Sequence, residues 1–158
     1  MKFNFITNSI VKDITSLDSK SFHINILAGK NLTFDHLTIT APDHSLNTDR
    51  IHLGDSEEVS ILNTVIATVD DCISVRYTNR KIIISDVTYG PGHGISIGNL
   101  DKYKTEKEVV GVIGKKCKLI STTNGVRIKT GPDFALSYPA STCILKILKW
   151  LMLLTLSS

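Results

Sequence analysis

The chain of 158 residues is long enough for one domain with a hydrophobic core, and its 42% hydrophobic and 21% charged residues are ordinary for a globular protein. Its formal net charge of +3 is small and scattered. Lysine-rich stretches such as Lys115-Lys116-Cys117-Lys118 lack interleaved aromatic residues, which favours solvated edges and argues against a nucleic-acid groove. A mildly basic surface nevertheless suits a polyanionic substrate.

The three cysteines give little information about function. Cys72, Cys117 and Cys143 lack the spacing of metal ligands, and their odd number leaves one of them unpaired. No cluster of metal ligands appears in the sequence, and no metal ion or organic cofactor is implied. The first residues also lack the charged, apolar and cleavage regions of a secretory leader, which taken literally predicts no secretion.

Strand-like runs recur from the start of the chain, and most of them alternate apolar with polar residues or are rich in Ile, Val and Thr. The runs are Phe3 to Ile6, Phe22 to Leu27, Leu32 to Phe34, Leu37 to Ile39, Val59 to Leu62, Val65 to Ala67, Lys81 to Ile84 and Val109 to Ile113. Gly, Asn, Asp and Pro separate them. We predict about three short strands per repeating unit and no sustained helix before residue 140.

Four short stretches share one pattern, in which a polar residue stands two places before an apolar-polar-apolar triplet. The polar residues are Asp49, Asp71, His93 and Asn124, and the triplets that follow them begin at residues 51, 73, 95 and 126. A period in this range predicts a parallel β-solenoid, in which equivalent residues of successive coils stack about 4.8 Å apart. Two carboxylates and a histidine are therefore expected on one patch of one face.

The last part of the chain breaks this pattern. Residues 143–156 read as an apolar helix with two lysines, shorter than the roughly 20 residues that span a bilayer, so no membrane partner is expected. An interfacial membrane helix is a further interpretation, although its charged face is thin. An alternative is a frameshift, because residues 143–153 can be encoded by a string that, read two bases later, gives the alternating sequence His-Phe-Glu-Asp-Ile-Glu-Met-Val-Asn-Val. We accordingly divide the chain into a β-helix domain, 1–140, and a divergent apolar tail, 141–158.

Four motifs give the chain a family resemblance: Asn47-Thr48-Asp49, Asp70-Asp71-Cys72, the glycine-rich stretch 90–98 and Arg127-Ile128-Lys129. In this order and spacing they resemble the polygalacturonases of glycoside hydrolase family 28, most closely the plant exo-acting group. The resemblance implies a right-handed parallel β-helix, incomplete at both ends, that hydrolyses the α-1,4 links of polygalacturonate with inversion. It also implies a monomer that is secreted to the cell wall, and it implies no nucleic-acid partner.

The resemblance assigns roles to the acidic residues. Inverting glycosidases need an acid for the leaving oxygen and a base for water, about 6.5–9.5 Å apart. By the family pattern Asp70 is the acid, whereas Asp49 and Asp71 activate the water. Crowded carboxylates cannot all ionise easily, so the pKa of one should rise and keep it protonated.

The remaining site residues are basic or titratable. His93 is expected to form a hydrogen bond within the carboxylate group and to tune its protonation. Arg127 and Lys129 alternate with Ile128, so both should point away from the coil interior while Ile128 points inward. A guanidinium and an ammonium together suit the acid group of a galacturonate.

Departures from the family pattern keep other interpretations open. Arg50 and Val69 stand where the family has glycine, and Tyr89 stands where it usually has the cysteine that bridges to Cys72, so that disulfide cannot form. These changes predict a weakly active or inactive enzyme. The alternatives are a protein that binds oligogalacturonate through Arg127 and Lys129 without cleaving it, and a structural β-helix remnant with no ligand.

Overall fold

The computed structural model describes residues 1–19, 21–42, 50–68, 71–100, 108–130 and 144–151. Of residues 99, 100, 130 and 144–151 only the backbone is described. These parts of the chain form sixteen strands and contain no helix. The strands are β1 Lys2–Asn4, β2 Thr7–Lys12, β3 Thr15–Leu17, β4 Ile24–Leu27, β5 Lys30–Asp35, β6 Thr38–Thr40, β7 Ile51–Gly54, β8 Glu57–Leu62, β9 Val65–Ala67, β10 Ile73–Val75, β11 Arg80–Ser85, β12 Thr88–Tyr89, β13 Ile95–Leu100, β14 Val110–Ile120, β15 Val126–Thr130 and β16 Ile144–Leu151.

The strands stack in parallel as a β-solenoid, as the repeat predicts. One sheet has the order β1-β4-β7-β10-β13-β15, so every coil contributes its first strand to it. The second sheet holds the other two strands of each coil, and β14 joins its two halves because it pairs with β11 near its start and with β12 near its end. The first sheet is the one that carries the predicted site residues.

The register within the first sheet confirms the alignment of the four repeats. Ile51 pairs with Ile73, Ile73 with Ile95, and Ile95 with Val126. The same register extends backwards to Ile24, which pairs with Ile51, although no repeat motif precedes Ile24 in the sequence. Residues two places before these partners therefore occupy one register position along the rod.

The core is a continuous stack of apolar side chains inside the coils. Alternate residues of each strand point inward, and β-branched residues suit such a pleated, fully packed surface. Burying one Ile side chain completely contributes about 1.5–3 kcal/mol. The fully buried inward residues of the first sheet are Ile24, Ile26, Ile51, Leu53, Ile73, Val75, Ile95 and Ile97, each 1% exposed or less.

The corner between the two halves of the second sheet repeats from coil to coil. Its residues are Asp13, His36, Asn63, Asp86 and Lys116, all with φ between 47° and 57°. The left-handed backbone region is accessible to Asn, Asp and His more readily than to most side chains. This turn keeps one register position in the second sheet from coil to coil, although the coils differ in length.

The helical interpretation of residues 143–156 is wrong for Ile144–Leu151, which form the parallel strand β16 beside β14. The pairing of β14 with β16 is irregular on both sides of Cys117, where the register between the two strands shifts. The edge of β14 presents backbone N–H and C=O groups that a neighbouring strand can satisfy, and this tertiary pairing overrides the local helical preference of Leu and Lys. The rest of the predicted helix lies outside the described residues.

Candidate functional site

Asp71 is the centre of the best-defined polar cluster. The residue is 2% exposed and stands two places before Ile73, the first residue of β10. Arg127 donates from Nη2 to Asp71 Oδ1 at 2.9 Å, and Ser96 donates from Oγ to Asp71 Oδ2 at 2.9 Å. Lys129 donates from Nζ to the same Oδ2. Among the described residues, the carboxylate thus receives hydrogen bonds from a hydroxyl group and from two cations.

These partners decide the protonation state of Asp71. Burial by itself raises the pKa of this carboxyl group, but the hydrogen bonds from Lys129 and Ser96 and the positive charges of Lys129 and Arg127 outweigh it. The pKa of Asp71 is therefore lower than that of an ordinary aspartate. An ionised carboxylate can accept a proton but has none to donate, which suits a general base.

The strand pairing explains why the two cations converge on Asp71. Ser96 pairs with Arg127, and Gly98 pairs with Lys129, between β13 and β15. Ile128 pairs with Ile97, whose side chain is completely buried, so it shares the inward column of the sheet. Arg127 and Lys129 therefore leave β15 on the opposite side, as the alternation predicts. Ile128 itself remains 54% exposed.

The other predicted site residues are placed less completely. Asp49 and Asp70 lie outside the described residues. His93 is half-buried and takes the register position of Asp71 one coil further on, because Ile73 pairs with Ile95. Its backbone N–H donates to Tyr89 Oη at 3.1 Å. The predicted hydrogen bond between the His93 imidazole and the carboxylates stays a prediction.

Arg50, which departs from the family pattern, is completely buried beneath this region. Its backbone N–H donates to the carbonyl oxygen of Asp71 at 3.3 Å, which ties the coil of β7 to the coil of β10. Its positive charge lowers the pKa of the buried His23, although burial is the larger cause of that shift. Arg50 therefore belongs to the interior support of the site.

Tyr89 packs where the resemblance expects a disulfide to Cys72. Cys72 is a buried free thiol, and burial raises its pKa well above the ordinary value. Burial likewise raises the pKa of the completely buried Tyr89. Gly92, with φ 144°, leaves the room that the phenol needs, because a Cβ there would lie 1.7 Å from Tyr89 Oη. Close packing of Tyr89 against Gly92 thus occupies this part of the interior.

A cleft of about 170 Å³ opens on the outer face of the first sheet. Its lining residues are Phe22, His52, Asp71, Ser74, Arg76, Gly98 and Lys129. Sequence reasoning missed Ser96 and most of this lining. A signal was available for part of it, because His52, Ser74, Ser96 and Arg127 are the middle residues of the four triplets and pair in one outward column.

Two further observations on the described residues concern metal ions and membranes. Among these residues, no group of three or more His, Cys, Asp and Glu side chains is arranged to hold a metal ion. Nor does this part of the chain contain a helix with the length and apolarity required to cross a membrane.

The fold and the site together define a parallel β-helix with a polar cleft, in which an ionised carboxylate is held by basic side chains. The chain belongs to glycosyl hydrolases family 28, whose family model matches residues 1–140. This match includes Asp71, Arg127 and Lys129 but not β16.

The similar curated proteins come from plants. The chain is 54% identical over 131 residues to a polygalacturonase of Medicago sativa, covering 83% of this chain and 31% of the relative. It is 51% identical over 141 residues to a polygalacturonase of Brassica napus, covering 89% of this chain and 36% of that relative. It is 53% identical over 133 residues to an exopolygalacturonase of Platanus acerifolia, covering 84% and 35%. The chain thus spans about a third of the length of these relatives.

Proposed function

We propose that the chain contains the catalytic coils of a polygalacturonase that hydrolyses the α-1,4 links of polygalacturonate in pectin, with exo action preferred. The observation that carries the proposal is the ionised carboxylate of Asp71, held by Arg127 and Lys129 in a cleft of a family 28 β-helix. The curated relatives are named polygalacturonases and exopolygalacturonases. Secretion to the plant cell wall follows from the same relationship and is part of the proposal.

The proposed reaction is an inverting hydrolysis. Asp70 donates its proton to the glycosidic oxygen as the bond from the anomeric carbon to that oxygen breaks. Asp49 and Asp71 accept a proton from the water that attacks the anomeric carbon from the opposite side. The lowered pKa of Asp71, maintained by Lys129 and Ser96 against burial, keeps this carboxylate ready to act as a base.

Arg127 and Lys129 have two roles in this scheme. In the free protein they neutralise the buried charge of Asp71. Their side chains are still 38% and 31% exposed, so part of each cation is accessible to a substrate carboxylate, although Arg127 Nε is buried. An arginine fork and a lysine ammonium suit such a group, because both form charge-assisted hydrogen bonds.

Release of reducing sugar from polygalacturonate by the purified chain tests the proposal. Asp71→Asn should lower turnover by about 100-fold or more, the scale of a lost general base. Asp55→Asn is the matched control, because Asp55 is an exposed turn residue with φ 49°, a conformation that Asn also tolerates. Equal activity of the Asp71 variant and the native chain would contradict the assignment.

A second candidate function is binding of oligogalacturonate without cleavage. It is favoured by the pairing of Asp71 with both cations, which occupies both oxygens of the proposed base. Calorimetry with oligogalacturonates beside the reducing-sugar assay separates the two functions, since heat of binding without product supports binding alone.

A further inference from the structure

Arg76, Gly98 and Lys129 form one column on the outer face of the first sheet. Val75 pairs with Ile97, so the residues that follow them, Arg76 and Gly98, are neighbours, and Gly98 pairs with Lys129. Arg76 and Lys129 are therefore two coils apart, which corresponds to about 10 Å between their backbones. Both side chains line the cleft.

Gly98 keeps the space between these two cations open. It has no side chain, and its φ of 105° is a conformation that other residues adopt only with strain. Gly98 is itself part of the cleft lining. A ligand can consequently approach the backbone of β13 closely, near the Lys129 ammonium, which reaches back to Asp71, and near Arg76 one coil away.

The Arg76 guanidinium has donors to offer to such a ligand. Its Cζ lies 5.5 Å from the centroid of the Tyr77 ring, a cation–π arrangement that orients the side chain. Within the described part of the chain, the guanidinium forms neither an ion pair nor a hydrogen bond. Arg127 differs, because its Nη2 is engaged with Asp71.

The opposite part of the cleft is aromatic. The rings of Phe22 and His52 lie 4.7 Å apart between centroids and are tilted by 38°. Phe22 has the register position of Asp71 two coils earlier, because Ile24 pairs with Ile51 and Ile51 with Ile73. The cleft therefore continues from Asp71 towards the start of the chain, with Arg76 at its other edge.

We propose that Arg76 is a specificity residue that binds the carboxylate of the uronate unit next to the one held by Lys129. The inference rests on the proposed function, because it takes a polyuronate as the ligand. Two cations that line one cleft, from residues whose backbones are two coils apart with a glycine between them, match a ligand that repeats its negative charge from unit to unit. A neutral sugar chain offers nothing for Arg76 to pair with.

Calorimetry of the 158-residue chain with trigalacturonate and with its fully methyl-esterified form tests this assignment. Arg76→Gln keeps the length of the side chain but removes its charge, and we expect about tenfold weaker binding of trigalacturonate. The methyl ester should bind the variant and the native chain equally. Arg76→Lys should recover part of the loss, and the native chain should show the steeper salt dependence.

Arg80→Gln is the matched control. Arg80 is an exposed arginine of β11, in the other sheet, and its Nη2 lies 3.9 Å from Glu108 Oε1. Its substitution should leave binding unchanged. Unchanged trigalacturonate binding in Arg76→Gln would overturn the inference, and so would the absence of any trigalacturonate binding by the native chain.

The reducing-sugar assay separates this inference from the proposed function. A native chain that binds trigalacturonate through Arg76 but releases no product contradicts the hydrolase and leaves the Arg76 site standing. A native chain that releases product while Arg76→Gln binds equally well contradicts the Arg76 site alone.

Discussion

Arg127 follows Asp71 by 56 residues in the sequence, yet its Nη2 lies 2.9 Å from Asp71 Oδ1. They meet because β15 lies two strands beyond β10 in the first sheet. Asp71 is a buried carboxylate, so removal of a cation would leave its charge poorly compensated. The stacking of coils therefore sets both the place and the charge state of the site.

Replacing Lys129 with Met should raise the pKa of Asp71. Burial already raises this pKa, and Lys129 opposes it through a hydrogen bond and its charge. A carboxyl pKa held low stabilises the fold above the pKa of the unfolded chain, and this contribution is lost as the pH falls through the folded pKa. The Lys129→Met variant should retain less of this stabilisation than the native chain.

Carboxyl ¹³C NMR titration of Asp71 measures this effect whether or not the chain is active. Lys118→Met is the control, because Lys118 is an exposed residue of β14 in the other sheet. The Asp71 titration should move to higher pH in Lys129→Met and stay in place in Lys118→Met. An unmoved titration in both variants would show that Lys129 does not set the charge of Asp71.

His23 should make the fold sensitive to acid. Its side chain is completely buried, and burial, assisted by the charge of Arg50, lowers its pKa from 6.5 to about 4. Nδ1 contacts Ser16 Oγ at 2.9 Å, and Nε2 has no hydrogen-bond partner among the described residues. The unfolded chain therefore binds a proton more readily between pH 6.5 and 4, so stability is lost as the pH falls through this window.

Urea unfolding at several pH values checks this linkage. The contribution of His23 should approach about 3 kcal/mol of lost stability at pH 4, from about 1.4 kcal/mol per unit of pKa difference. His23→Gln removes the titrating group and should flatten the dependence between pH 4 and 6.5. His36→Gln, at an exposed corner histidine paired with Asp13, is the control and should not flatten it.

The fold was predictable from the sequence to the extent that it depends on local alternation. The run Val65 to Ala67 coincides with β9, and Lys81 to Ile84 lies within β11. β14 continues to Ile120, well past the predicted run that ends at Ile113, because its pairing with β12 extends it through the lysine-rich stretch. Tertiary pairing of this kind has no signal in a single segment.

The candidate site was predictable only where the register identifies it. Asp71, Arg127 and Lys129 were expected in one place and are in contact there. Arg76 stands two residues beyond Ser74, outside the repeated triplet, and the role proposed for it depends on Gly98, which lines the same cleft one coil away. Relationships between residues of different coils become visible only when the coils are stacked.

Phe34 should be essential for the packing of the first coils. Its side chain is completely buried, and its ring meets Phe3 edge-on, with centroids 5.2 Å apart. Phe34→Ala should cost about 3–5 kcal/mol, because it leaves a cavity and removes an aromatic pair. Urea unfolding measures the loss. Phe5→Ala is the matched control, and since Phe5 is 76% exposed, a comparable loss there would contradict the packing argument.

Asn79 should stabilise the rod by linking two coils through backbone groups. Its side chain is completely buried, and Nδ2 donates to the carbonyl oxygens of Leu53 at 3.0 Å and Arg76 at 2.8 Å. Its Oδ1 accepts the backbone N–H of Ser56 at 3.0 Å. Asn79→Ala leaves these groups buried without a partner, which costs about 1–3 kcal/mol for each unsatisfied group.

Urea unfolding and trigalacturonate calorimetry together test the role of Asn79. The variant should lose at least about 2 kcal/mol of stability. Because Asn79 holds the carbonyl of Arg76, the variant should also bind trigalacturonate more weakly while it remains folded. Asn4→Ala is the control, since Asn4 is an exposed residue of β1 and does not have a positive φ, so both quantities should change little. Equal losses of stability in the two variants would mean that burial of the Asn79 amide does not govern the link between the coils.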